Sequence, residues 1–179
     1  LWWYTCNSPA RPYANLFLTQ PAMAHRMLMG FLAFAAKTDG FLYYAAHGNR
    51  VNGENANVTT GPYTDITTSL TDRDAHDWMY LHGPGGRGDP LPSMRLEAIR
   101  AGLRDYNYLH IARELRNALR EAGLETADLN RRFAELEVDV TPGGELLKSM
   151  TRFERAPEPI DRAKYRLGEY IEQAKDRLR

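Results

Sequence analysis

Five side chains between residues 72 and 82 form the densest set of reactive groups in this sequence. Asp72, Asp74, His76, Asp77 and His82 all carry donors that a metal ion uses. Their spacing matches no compact ligand set, so a solvated loop and no bound metal are expected. Cys6, the one cysteine, has no evident base beside it, and a buried strand thiol is expected. Arg87-Gly88-Asp89 is short enough to arise by chance. What remains is chemistry of holding rather than reacting, in the aromatic residues around Asp39-Gly40-Phe41-Leu42-Tyr43-Tyr44-Ala45-Ala46-His47. Such an apolar run, led in by Asp-Gly and released into a long polar stretch, reads as a buried strand feeding a functional loop.

The elements that must position this run are legible on both sides of it. Leu1-Trp2-Trp3-Tyr4-Thr5-Cys6 is rich in β-favouring aromatics and stops at Asn7-Ser8-Pro9, a turn signature. Alternation along such a strand points Trp2, Tyr4 and Cys6 one way and Trp3 and Thr5 the other. Residues 7 to 19 read as a loop anchored by Leu16-Phe17-Leu18. Met23, Met27, Phe31 and Phe34 then recur at helical spacing between Pro21 and Lys37. With Gly40 to Ala46 as a second strand, the order is strand, helix, strand, which implies parallel pairing and a right-handed crossover.

Residues 47 to 91 are polar and rich in Gly, Asn and Thr, and a loop of that length in a compact domain is functional or disordered. From Pro92-Ser93 a long helix is expected to run to about Ala122, with Leu96, Ile99, Leu103, Tyr106 and Ile111 on one side and Gly123 at its end. Gly102 inside it costs about 1 kcal/mol against Ala, which a close packing contact would explain. Beyond it, 126 to 137 and 144 to 153 read as short helices. Ile160, Leu167, Ile171, Ala174 and Leu178 make the apolar stripe of a last one.

Bulk properties exclude several classes. Lys and Arg number 23 and Asp and Glu number 23, so no basic field recruits nucleic acid or an acidic membrane surface. No apolar run approaches the roughly 18 residues of a membrane span. A single cysteine leaves the compartment open, and nothing sets an oligomeric state. A first residue other than Met, on a stretch that already reads as strand, is expected of a piece of a longer chain.

Taken in order, Trp2-Trp3-Tyr4-Thr5-Cys6, Asp39-Gly40-Phe41-Leu42-Tyr43-Tyr44, Pro92-Ser93-Met94-Arg95-Leu96-Glu97-Ala98-Ile99-Arg100 and Gly102-Leu103-Arg104-Asp105-Tyr106 resemble the C-terminal part of the glycoside hydrolase family 123 catalytic domain. The resemblance covers about residues 1 to 116. It implies an α/β fold, the C-terminal portion of a (β/α)8 barrel, in which 1–46 supply the last two strands and 92–122 the final helix. Residues 1–122 would then belong to the catalytic domain and 123–179 to a helical extension. The stretch from 47 to 91 would be the last strand-to-helix loop, at the face where barrels place their sites.

The resemblance also implies activity on β-linked N-acetylgalactosamine by substrate-assisted retention, without a cofactor and with a carbohydrate as partner. The sugar's own acetamido oxygen attacks the anomeric carbon, while a consecutive Asp-Glu pair orients that group and handles the proton. No Asp-Glu dipeptide occurs in this sequence, so the pair is expected upstream of Leu1. What the chain can contribute is the pocket wall. Tyr44 takes the place of the family's Trp as a stacking platform, and Tyr4 is placed to bond the acetamido group. His47 and Asn49 are candidates for hydroxyl contacts, and Trp78 and Tyr80 for the loop tip. There Tyr80-Leu81-His82-Gly83-Pro84-Gly85 departs from the family's Tyr-Pro-Gly. Trp2 and Trp3 are expected in the core and against barrel helices. Arg95 is expected to pair with a carboxylate, because at a helix N-terminus it opposes the dipole.

Overall fold

A computed structural model describes residues 1–5, 8–9, 11–16, 20–43 and 92–179, and the backbone alone at 50–51, 54–55, 80–81 and 91. Strand β1 (Trp2–Thr5) pairs in parallel with β2 (Gly40–Tyr43), in a register running from Trp2 opposite Gly40 to Thr5 opposite Tyr43. Helix α1 (Ala22–Met27), a π-helical turn (Leu28–Leu32) and α2 (Ala33–Ala35) follow one another as the crossover. The expected strand–helix–strand unit is therefore present, with a π turn that periodicity did not reveal. Lys37, at a φ of 54°, ends the crossover. Thr38 then bonds back to the Ala33 carbonyl through both its amide and its hydroxyl.

Alternation in β1 falls as expected. Trp3 packs against the hydrophobic core with Phe41 and Tyr43, and Thr5 is buried. Trp2, Tyr4 and Leu42 lie on the other face, each more than half exposed. Trp2 thus departs from its expected place in the core. Its indole lies over Gly40, where a Cβ would come within 2.6 Å of the ring. Within the long polar stretch the backbone forms two short antiparallel pairs, β3 (Arg50–Val51) with β4 (Glu54–Asn55) and β5 (Tyr80–Leu81) with β6 (Leu91–Pro92).

Helix α3 (Met94–Glu121) begins where Ser93 Oγ accepts the Leu96 amide at 3.2 Å and ends before Gly123, whose φ is +66°. Its buried face keeps the expected apolar stripe at Ile99, with Leu96 packed on the core, and departs from it farther along. Leu103 and Ile111 are exposed, while Arg95, Ala98, Ile99, Gly102, Asp105, Leu109, Ala112 and Leu119 are buried. The reason is the neighbour. Gly102 meets the crossover so closely that a Cβ there would lie 2.5 Å from the Arg26 carbonyl, and one on Gly30 would lie 2.9 Å from the Gly102 carbonyl. Two facing glycines let the backbones touch and fix which side of α3 turns inward.

Beside that crossing sits a buried ion cluster. Asp105, fully buried, accepts Arg26 Nε at 2.6 Å and pairs with Lys164 Nζ at 3.3 Å, while Arg26 also reaches Asp161 at 2.7 Å. Burial opposes the charge on Arg26, yet its hydrogen bonds to Asp105 and Asp161 hold its pKa above the ordinary arginine value. Tyr106, next along α3, donates to the Thr38 carbonyl at 2.9 Å just ahead of β2. Arg95 is buried, with Nη1 on the Leu16 carbonyl at 2.5 Å.

The C-terminal third closes the same core. Helix α4 (Ala127–Val140) is capped by Thr126 and buries Leu129, Phe133 and Leu136. The helix expected over 144–153 is instead a hairpin, β7 (Leu147–Ser149) with β8 (Arg152–Phe153). Ser149 Oγ accepts the amides of Thr151 and Arg152, a local bond that competes with helix and favours a turn. Helix α5 (Pro157–Leu178) buries Ile160, Ala163, Leu167, Tyr170, Ile171 and Ala174, close to the expected stripe. One hydrophobic cluster joins these residues to Met27, Phe31 and Ile99. No described helix is long and apolar enough to cross a membrane.

Candidate functional site

The parallel strand pair offers the surface on which a ligand site can be built. Its inner face is spent on packing: Phe41 and Tyr43 stack with centroids 6.5 Å apart and, like Trp3, rest on the core. Its outer face carries Trp2, Tyr4 and Leu42, with Trp2 70% and Tyr4 55% exposed. Tyr4 stands beside Leu42 across the ladder. An aromatic face of this kind offers flat apolar rings and a phenolic hydroxyl to whatever lies against it.

The segment that leaves β1 is held firmly. Asn15, fully buried, donates through Nδ2 to the Pro9 carbonyl at 3.0 Å, and Gln20 Nε2 donates to the Tyr13 carbonyl at 3.0 Å. Gln20 in turn accepts the Asn15 amide at 3.2 Å, and Arg95 holds the Leu16 carbonyl from α3. The backbone groups of Pro9, Tyr13, Asn15 and Leu16 are thus answered by side chains rather than by a sheet. Sequence reasoning found the Leu16 anchor but not the Asn15–Gln20 pair. Two amides five residues apart around prolines were the available signal.

Of the expected site residues, Tyr4 is the one whose side chain is described, and it lies on the open face. Tyr44, His47, Asn49 and Trp78 lie outside the described residues, as do Cys6, Arg87-Gly88-Asp89 and the Asp72–His82 set. Tyr80 is described by its backbone alone, in β5. Among the described residues no group of three or more His, Cys, Asp or Glu side chains is arranged to hold a metal ion.

The motif Gly102-x-x-Asp105-Tyr106 resolves into three packing roles: close approach, buried counter-ion and a bond to the chain entering β2. The family model described as the glycoside hydrolase 123 catalytic domain matches residues 1–112. That match spans β1, the crossover, β2 and most of α3. No curated protein matches the chain.

Proposed function

The chain belongs to glycoside hydrolase family 123, and from that premise we propose that it supplies part of the sugar-binding wall of a hydrolase acting on β-linked N-acetylhexosamine of the galactosamine type. The observation that carries this reading is the open aromatic face of the strand pair, with Trp2, Tyr4 and Leu42 turned away from the helices. Barrel strands turn one face to helices and the other inward, with the site at their C-terminal ends. The order β1, crossover, β2, α3 fits the last two units of a (β/α)8 barrel, with residues 1–122 in the catalytic domain and 123–179 a helical extension packed on it.

The chemistry assigned to these residues is positioning. Tyr44, just past β2, would stack on the apolar C–H face of the sugar, and the Tyr4 hydroxyl would bond the acetamido group. His47 and Asn49 would hold hydroxyls, with Trp78 and Tyr80 at the rim. Holding the acetamido oxygen beneath the anomeric carbon lets it displace the leaving oxygen, and water then opens the cyclic intermediate with the β configuration retained. The Asp-Glu pair that this reaction uses is not among these 179 residues. On this reading it belongs to a preceding part of the same protein.

The full-length protein should release nitrophenol from a nitrophenyl N-acetyl-β-galactosaminide. No release while glucosaminides or neutral glycosides are cleaved would refute the assigned sugar. The absence of the acid pair here also favours a second reading, a non-catalytic carbohydrate-binding or interaction module derived from such a barrel. The coding sequence ahead of Leu1 separates the two, because an Asp-Glu pair at a strand end supports the enzyme and an unrelated domain there supports the module.

A further inference from the structure

Arg95 stands in the first turn of α3 and is 3% exposed. A cation there opposes the helix dipole, and burial adds the cost of taking its charge out of water. Both effects disfavour the residue, so its worth lies in what it holds. Its Nη1 donates to the Leu16 carbonyl at 2.5 Å, in the segment that leaves β1. Asn15 and Gln20 brace the same segment through the Pro9 and Tyr13 carbonyls and the Asn15 amide.

The topology shows which parts of the chain this bond joins. β1 and β2 run parallel, so the segment after Thr5 and the long stretch after Tyr43 leave from the same end of the pair. The long stretch returns through β6, where Pro92 pairs with Tyr80 of β5, and it then enters α3. From there α3 runs back along the strands. Tyr106, about 16 Å farther along the helix, bonds the Thr38 carbonyl at the opposite end, just ahead of β2. Arg95 therefore ties the return of the long stretch to the segment leaving β1, at the strand end where barrels place their sites.

We propose that Arg95 is a positioning residue for sugar binding, whose bond to Leu16 fixes the segment leaving β1 against β5 and β6. The sugar then meets one preset surface. This inference rests on the assignment of that strand end to sugar. A guanidinium suits the task because its donors form a rigid fork, whereas lysine offers a point charge on a flexible stem. The Asp-Glu pair that handles the proton is not in this sequence, so Arg95 acts on bound substrate and transition state alike. Its loss belongs in KM rather than in kcat.

The test is steady-state kinetics of the full-length protein on nitrophenyl N-acetyl-β-galactosaminide, with a melting curve for each variant. Arg95→Met, which keeps the stem and removes the donors, should raise KM about tenfold and leave kcat within about twofold. Arg95→Lys should recover part of that loss, with KM raised about threefold. Gln20→Met loosens the same segment from its other side and should raise KM in the same way. The double variant should exceed the larger single one by less than about twofold, as expected of two residues acting through one segment. Should Arg95→Met fail to fold, Arg95→Lys with and without Gln20→Met carries the comparison. An unchanged KM in the folded Arg95 variants, a loss confined to kcat, or KM effects that multiply in the double variant would each overturn the proposal. Wild-type protein that leaves this substrate uncut would refute the sugar assignment itself, and the inference would fall with it.

Discussion

The helical layer and the strand pair use similar residues to opposite ends. Around the Gly30–Gly102 crossing, Arg26 and Asp105 are inside and answered: Asp105 faces Arg26 and Lys164, Arg26 also reaches out to the exposed Asp161, and Tyr106 meets Thr38. On the strand pair, large apolar side chains are outside, with Trp2, Tyr4 and Leu42 all more than half exposed. The difference teaches where stability and recognition are kept. The first region joins the crossover, α3 and α5 into one body, and the second is the face to which the proposed sugar contact is assigned.

Breaking the helical layer should therefore give the largest effect. Asp105→Ala leaves Arg26 buried without its main partner, and loss of one member of a buried pair costs about 3–5 kcal/mol. Urea unfolding should show that loss, and a change below about 1 kcal/mol would remove the cluster from its place as the joint. Gly102→Ala comes next. The added methyl meets the Arg26 carbonyl at 2.5 Å, and overpacking of this kind costs roughly 1–3 kcal/mol against a gain of about 1 in helix propensity. A lowered denaturation midpoint checks it, whereas a stabilised variant would mean that the helices separate freely.

A smaller and pH-dependent effect is expected at the start of α5. Glu154 Oε1 accepts the amides of Arg155 and Ala156 at 2.7 and 2.8 Å, and these bonds, the Ala156 one first, hold its carboxyl below the usual range. A lowered folded-state pKa means that its contribution is present above the unfolded value and is lost as pH falls through the folded one. Glu154→Gln should thus be less stable than wild type at neutral pH, with the two melting curves converging in acid. A gap that widens in acid would reverse the assignment. Trp2→Ala, on the open face, should shift stability least, within about 0.5 kcal/mol.

The same contrast explains what the sequence disclosed. Local signals located the ends of α3, because Ser93 and Gly123 act within one turn of the residues they cap. The close contact at Gly102 was also legible, since a glycine within a strong helix needs a reason. The partner was not, because Gly30 and Arg26 lie over seventy residues away, and so the stripe expected over Leu96, Ile99, Leu103, Tyr106 and Ile111 fails at Leu103 and Ile111. The segment 144–153 failed differently: its two leucines allow either period, and the serine turn at 149 decided for a hairpin. Alternation put Trp2 and Tyr4 on one face, as found, whereas the separate expectation of Trp2 in the core did not hold, because its ring lies over Gly40 on the outer face. The remaining site residues were reached through the motifs they follow rather than through any pattern of their own.

The most direct measurement compares turnover with stability in the same variants. In full-length protein, with nitrophenyl N-acetyl-β-galactosaminide as substrate, Tyr4→Ala and Tyr44→Ala should each lower kcat/KM by about tenfold or more, the loss of roughly 1.4 kcal/mol of binding. Their unfolding midpoints should stay near that of wild type, while Trp3→Ala, on the packed face, should lose stability. Unchanged turnover in both tyrosine variants, or turnover that falls only in step with unfolding, would contradict the assignment of the open face to the sugar.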